Sequence, residues 1–150
     1  MEITGSYTFQ APPARVWALL MDPAVIASCI PGCEGLTPEG EGRYTARIKL
    51  GIGAITGSYQ GSVTMSDVKE MESYRLTVDG KGAPGFVKGD AVISLRPDGN
   101  STIVDVAGQM QTGGAIARLG QRLIGSAAKM MQDNFFTCMG HRLNTEQATD

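Results

Sequence analysis

The sequence predicts an α+β domain in which a curved antiparallel β-sheet has one apolar face covered by a single long C-terminal helix. Three observations carry that prediction. From Gly42 to about Gln111 the chain runs through successive short stretches that alternate apolar and polar side chains, the period of a half-buried strand. The connections between those stretches are short, which favours an antiparallel meander over parallel crossovers. From Gly113 to about Leu143 there is no proline, and apolar side chains return with the 3.6-residue pulse of a helix.

Taken in order, Glu2 to Gln10 sets Ile3, Gly5, Tyr7 and Phe9 against Thr4, Ser6, Thr8 and Gln10, a strand with one apolar face. Pro12 and Pro13 stop it and suit the first turn of a short helix over Ala14 to Leu20. Asp22-Pro23 is a second start signal, an N-cap followed by proline, for a helix from Ala24 to Cys29 that Ile30-Pro31-Gly32 ends. Five β runs follow: Arg43 to Leu50, Ser58 to Val68, Ser73 to Gly80, Phe86 to Leu95 and Ser101 to Gln111. Gly51-Ile52-Gly53 reads as a turn or bulge after the first of them, and Pro97-Asp98-Gly99-Asn100 as a tight turn before the last.

The C-terminal helix, at about 1.5 Å per residue, spans roughly 40 Å and crosses a domain of this size completely. Counted from Ile116, one side carries Ile116, Leu119, Leu123, Ala127, Met130, Asn134 and Cys138, with Ile124, Met131 and Phe135 along its edge. Flexible Met beside small Gly and Ala packs adaptably, so this face reads either as plain core or as the wall of an apolar pocket. Arg118, Arg122 and Lys129 fall on the opposite side, as a solvated face or as a docking surface for anionic lipid or an acidic partner. Residues 1–143 form one domain, and 144–150 read as a flexible tail.

At 150 residues and 42% hydrophobic, the chain is long enough to bury a core as a single domain. Charged residues are 19% with a net charge of −2, which excludes a general affinity for nucleic acid. Residues 1–9 have neither the basic nor the apolar segment of a secretory leader, so reduced thiols in a cytoplasmic protein are the expectation for Cys29, Cys33 and Cys138. No run approaches the ~18 apolar residues of a membrane span.

Several motifs dissolve on inspection. Gly80-Lys81-Gly82-Ala83-Pro84-Gly85 spells a dinucleotide fingerprint, but a β run follows it where that fingerprint needs a helix to face the pyrophosphate. A loop between strands is the better account, with Phe86 and Val87 beside it guarding a cavity mouth. Cys29, Cys33, Cys138 and His141 are four soft ligands, yet their intervals are not those of structural zinc pairs. With one histidine in the chain and no triad-like grouping, neither nucleophilic nor general acid–base catalysis has visible candidates.

The order strand, two short helices, sheet, long helix resembles the helix-grip fold of the START-like (SRPBCC) superfamily. Sequence detail narrows this. Ala11-Pro12-Pro13-Ala14-Arg15-Val16-Trp17, Cys29-Ile30-Pro31-Gly32-Cys33-Glu34, Gly51-Ile52-Gly53, Gly80-Lys81-Gly82 with Gly85-Phe86-Val87-Lys88-Gly89, and Gly120-Gln121-Arg122-Leu123-Ile124 are together similar to the family of the carbon monoxide dehydrogenase G subunit. The resemblance implies an apolar cavity between sheet and helix, no catalytic residue, no cofactor and no metal. It implies a protein that recruits or couples a molybdenum-containing carbon monoxide dehydrogenase-type enzyme to the inner face of the cytoplasmic membrane, with a lipid or respiratory quinone as the bound molecule. Many members carry a further C-terminal segment that reaches the membrane, and this sequence ends at Asp150 before any such segment.

The expected cavity residues are Leu123, Ala127, Met130, Met131 and Phe135 from the long helix, Trp17, Ile26 and Ile30 from the short ones, and Phe86 at the mouth. The expected docking cations are Arg118, Arg122 and Lys129. One alternative is an assembly protein for the same dehydrogenase whose cavity is merely core. Another is a START-like enzyme, for which Tyr59, Tyr74 and Asn134 are the polar residues available.

Overall fold

The computed structural model describes residues 1–51 and 56–149, with side chains as far as Leu143. Strand β1 (Glu2–Phe9) leads into α1 (Pro13–Leu20) and α2 (Pro23–Cys29), followed by β2 (Cys33–Gly40), β3 (Arg43–Leu50), β4 (Gly57–Lys69), β5 (Ser73–Gly82), β6 (Gly85–Asp98) and β7 (Ser101–Gly113). A 3₁₀ helix (Gly114–Leu119) then precedes α3 (Gln121–Thr149), which runs past the Leu143 boundary read from the apolar pulse. All pairings are antiparallel, in the order β1-β7-β6-β5-β4-β3-β2. The meander β2 to β7 is therefore extended by β1, which adds to the free edge of β7.

The start signals act as expected. Pro12 and Pro13 open α1, and the Asp22 carboxylate accepts a 3.0 Å hydrogen bond from the Ala24 amide at the start of α2. Gly32 turns the chain out of α2 at φ +76°, where an added Cβ would run into the Lys49 carbonyl. The tight turn after Asp98 is present, with Gly99 at φ +62°. The turn expected at Gly51-Ile52-Gly53 falls largely outside the described residues.

Strand β2 has no counterpart in the sequence pattern. CEGLTPEG offers a single large apolar side chain, Leu36, and contains Pro38. Such a stretch forms a strand only as an edge, where its neighbour β3 supplies one ladder and two register shifts absorb the misfit.

The main core lies where α1, α2 and the second half of α3 meet the inner sheet face: Leu20, Val16, Val104 and Met139 are fully buried there, with Phe136 and Leu143 beside them. Thr102, fully buried, donates a 2.7 Å hydrogen bond to the Ala11 carbonyl. Cys29 on α2 and Cys138 on α3 form a disulfide across 109 residues, with Cα atoms 5.4 Å apart. This overturns the expectation of reduced thiols for that pair, and Cys33 alone is a free thiol. Arg142 donates a 2.8 Å hydrogen bond to the Ser28 hydroxyl beside it, so α2 is held to α3 by a covalent and a polar contact.

The long helix also differs in phase from its expected form. Gly120, at φ +85°, separates the 3₁₀ helix from α3. A 3₁₀ helix has three residues per turn, so a phase counted from Ile116 does not carry across the break. The inward stripe of α3 is Ile124, Phe136, Met139 and Leu143, buried, with Ala128, Met131 and Phe135, half-buried, close to the edge of the face that the sequence pattern predicts.

Candidate functional site

Between α3 and the inner face of the sheet lie two adjoining cavities. The larger, about 330 Å³, is bounded by Ile26, Ile30 and Pro31 from α2 and its exit, by Val63, Tyr74, Leu76 and Ile93 from the sheet, and by Ala128, Met131 and Phe135 from α3. The smaller, about 180 Å³, sits towards the 3₁₀ helix and is bounded by Tyr59, Ile116, Ile124 and Ala127. Ile48, Val78, Val87, Met110, Ala128 and Met131 line both, so the two are lobes of one apolar hollow. The larger lobe alone reaches the roughly 300–1,000 Å³ of ordinary ligand pockets.

The hollow exists because residues that face it are small. Gly80 and Gly89 point inward from β5 and β6, and a Cβ added at either would meet nothing closer than 3.8 Å. Ala127 and Ala128 face them from α3. A continuous row of larger side chains there would close the space.

Of the nine cavity residues expected from sequence, Ile26, Ile30, Ala127, Met131 and Phe135 are brought together at the hollow. Leu123 and Met130 are not: they are 60% and 42% exposed on the outer side of α3, a direct consequence of the phase break at Gly120. Trp17 stands behind the cavity wall in the core, edge-on to the Tyr74 ring at 5.8 Å between centroids. Phe86 points away, because strand alternation gives the inward position on β6 to Val87. Its ring lies over Gly113, with the Lys88 ammonium 5.8 Å from the centroid. Val87, expected with Phe86 at the mouth, does line both lobes; sequence reasoning missed Val78 and Met110, which lie on the inward alternation of their strands.

The three expected docking cations do not form one row. Arg118 belongs to the 3₁₀ helix and Arg122 to α3, and both are exposed. Lys129 is engaged: its ammonium lies 3.1 Å from the Asp133 carboxylate and 5.5 Å from the Tyr7 ring centroid. Tyr7 donates a 2.6 Å hydrogen bond to Asp133 and accepts one of 2.9 Å from Gln132, while its ring stacks on Phe136 at 4.3 Å. Hydrogen bonds from Tyr7 and then Lys129 hold the Asp133 carboxyl below its ordinary pKa. Desolvation first, then the bond to Asp133, pushes the Tyr7 hydroxyl up. This cluster pins α3 to β1.

Of the polar residues available to an enzyme, Tyr59 lines the smaller lobe and Tyr74 the larger. Asn134 is on the exposed side of α3. Cys29 and Cys138 are consumed by their disulfide, which removes both from the four soft ligands a zinc ion would need. A wider depression of about 930 Å³ on the outer face of β2 to β5, lined by Glu34, Arg47, Gln60 and Lys81, is open to solvent and mixed in charge. The inner hollow is the better candidate for a ligand, because it lies between the layers and its lining is apolar.

Sheet, grip helix and intervening hollow define a START-like helix-grip protein. The fold is shared with a START superfamily protein from Mycobacterium smegmatis (TM-score 0.75, 10% identity, 96% of this chain and 97% of that chain). It is shared too with an aromatase/cyclase from Streptomyces sp. R1128 (TM-score 0.70, 11% identity, 95% and 92%). A conserved protein from Geobacillus kaustophilus is far nearer, with a TM-score of 0.94 and 34% identity over 97% of this chain and 96% of that chain. Residues 5–144 match the family of the carbon monoxide dehydrogenase G subunit (CoxG), and the chain belongs to that family. Among curated proteins, none matches it.

Proposed function

We propose that this protein is a non-enzymatic carrier of an apolar small molecule, of lipid or quinone type, which couples a carbon monoxide dehydrogenase-type molybdenum enzyme to the inner face of the cytoplasmic membrane. The observation that supports this most is the two-lobed hollow, whose wall is apolar almost throughout. Burial of a prenyl-like chain there contributes about 0.8 kcal/mol per CH₂, so even a partial fit gives useful affinity. The dehydrogenase enters through the family to which the chain belongs. No described helix is long and apolar enough to cross a membrane.

The test is native mass spectrometry of the purified protein, followed by solvent extraction and identification of what is released. A lipid or quinone at near-stoichiometric amount is the expected result. Ala128→Phe with Met131→Trp fills the hollow and is expected to abolish the bound mass, whereas Met130→Trp, on the exposed side, leaves it unchanged. Retention of the ligand by the filled variant would sink the assignment.

A second reading draws on Leu123 and Met130, which are seven residues apart on one exposed stripe of α3. An assembly protein for the dehydrogenase would dock through that stripe. Leu123→Asp with Met130→Asp then abolishes pull-down of the dehydrogenase and leaves ligand binding intact.

A further inference from the structure

The larger lobe is apolar with one exception. Four residues with polar side chains line it: Tyr74, Asp90, Gln109 and Gln132. Three are committed elsewhere or face outward. Asp90 pairs with Arg75 at 2.8 Å on the outer sheet face. Gln109 falls on the outward alternation of β7 and is exposed. Gln132 donates to the Thr4 carbonyl and the Tyr7 hydroxyl.

Tyr74 remains. It is 5% exposed, sits on the inward alternation of β5, and is fixed by the edge-on contact with Trp17. Its hydroxyl makes no hydrogen bond with the described residues. Burial alone pushes its pKa well above the ordinary tyrosine value, with no neighbouring group contributing, so the phenol is neutral and carries its proton at any physiological pH. The hydroxyl borders the apolar hollow with no acceptor from the described protein, and phenylalanine would fill the same volume there.

Resting on the carrier reading above, we infer that the Tyr74 hydroxyl is the polar anchor of the hollow, donating a hydrogen bond to an acceptor oxygen on the bound molecule. The ligand class is thereby narrowed from any hydrocarbon-rich lipid to an apolar molecule with a carbonyl-type oxygen on a compact head. That head lies in the larger lobe against Tyr74, Ile93 and Phe135, and the chain runs between Ala128 and Gly80 into the smaller lobe. A simple acyl tail has no group for this hydroxyl, whereas a ketone, quinone or ester does.

Two probes matched in shape test the inference: a prenylated 1,4-naphthoquinone, and a prenylated naphthalene without the carbonyls. Titration of the full chain is expected to show tighter binding of the quinone. Tyr74→Phe is expected to weaken the quinone by roughly three- to tenfold, the range of one neutral hydrogen bond, and to leave the naphthalene unchanged. The infrared carbonyl band of the bound quinone moves to lower frequency in the wild type and returns in the variant. The empty Tyr74→Phe protein melts no lower than wild type, since the hydroxyl has no hydrogen bond within the described protein to lose. If both probes bind and the variant treats them alike, the anchor is wrong and the carrier reading stands. A lower melting point for the empty variant likewise overturns the anchor, because it shows a partner within the protein. If the wild type binds neither probe and releases nothing on extraction, the carrier reading falls and takes the anchor with it.

Discussion

The two halves of α3 face the same sheet and do opposite things with it. From Phe136 onward the helix presents Phe136, Met139 and Leu143 to α1, α2 and β1; Phe136 still borders the larger lobe, and beyond it this end is packed and stapled by Cys29–Cys138. Before Phe135 it presents Ala127, Ala128 and Met131 to Gly80 and Gly89, and this end is hollow. One helix therefore holds the fold with its second half and spans a cavity with its first. Stability and binding are assigned to different residues of a single element, which makes them separable by substitution.

The packed half carries the largest expected effects. Phe136→Ala removes a ring that stacks on Tyr7 and touches Phe9 and Phe135, and is expected to cost about 3–5 kcal/mol in denaturant unfolding. Met131→Ala, in the hollow half, borders space that is already empty and is expected at or below the ~2 kcal/mol low end for such truncations. Equal losses at the two sites would mean that the hollow is closed in solution. Next in size is the staple. Cys29→Ser with Cys138→Ser opens a long loop and is expected to cost roughly 2–4 kcal/mol, measured against the oxidised protein. Smaller and opposite in sign is Gly80→Ala. Its Cβ has room, and a strand glycine replaced without strain gains about 0.4–1 kcal/mol from the unfolded state, at the expense of volume for ligand. Gly61→Ala is the control. It is the cross-strand partner of Gly80 on β4, an added Cβ there would collide with the Asp79 backbone, and that variant is expected to lose stability.

Most of the fold was legible because it is written locally. Strand alternation, the two proline-led helix starts and the Gly99 turn each need only a few neighbouring residues. What escaped depends on distant or single-residue geometry. Strand β2 is a strand only because β3 lies beside it. The Cys29–Cys138 bond joins positions 109 apart, and no spacing rule connects them. A single backbone angle at Gly120 rotated the whole register of α3, which turned Leu123 and Met130 outward and brought Ala128 inward. The site suffered most from that one angle, since most of the expected cavity residues were counted along the helix. Tyr74 was visible as a polar candidate for the pocket, but neither its inward position on β5 nor its lack of a partner was. That property belongs to the assembled interior.

The smallest expected effect concerns the seam between the two halves, where Asp133 and Lys129 tie α3 to Tyr7 on β1. Asp133 has its folded pKa lowered, chiefly by the Tyr7 hydroxyl and then by Lys129. A depressed carboxylate contributes stability that is fully present above its unfolded pKa and is lost as pH falls through the folded value. The contribution is therefore intact at neutral pH and disappears on the acid side, below the ordinary carboxylate range. Because the group is exposed, the effect is slight and screened by salt. Asp133→Asn is expected to flatten the acid limb of the melting-temperature profile at low ionic strength and to leave ligand binding at pH 7 unchanged. A change in ligand affinity instead would show that the seam governs the hollow, and the two halves of α3 would then not be independent.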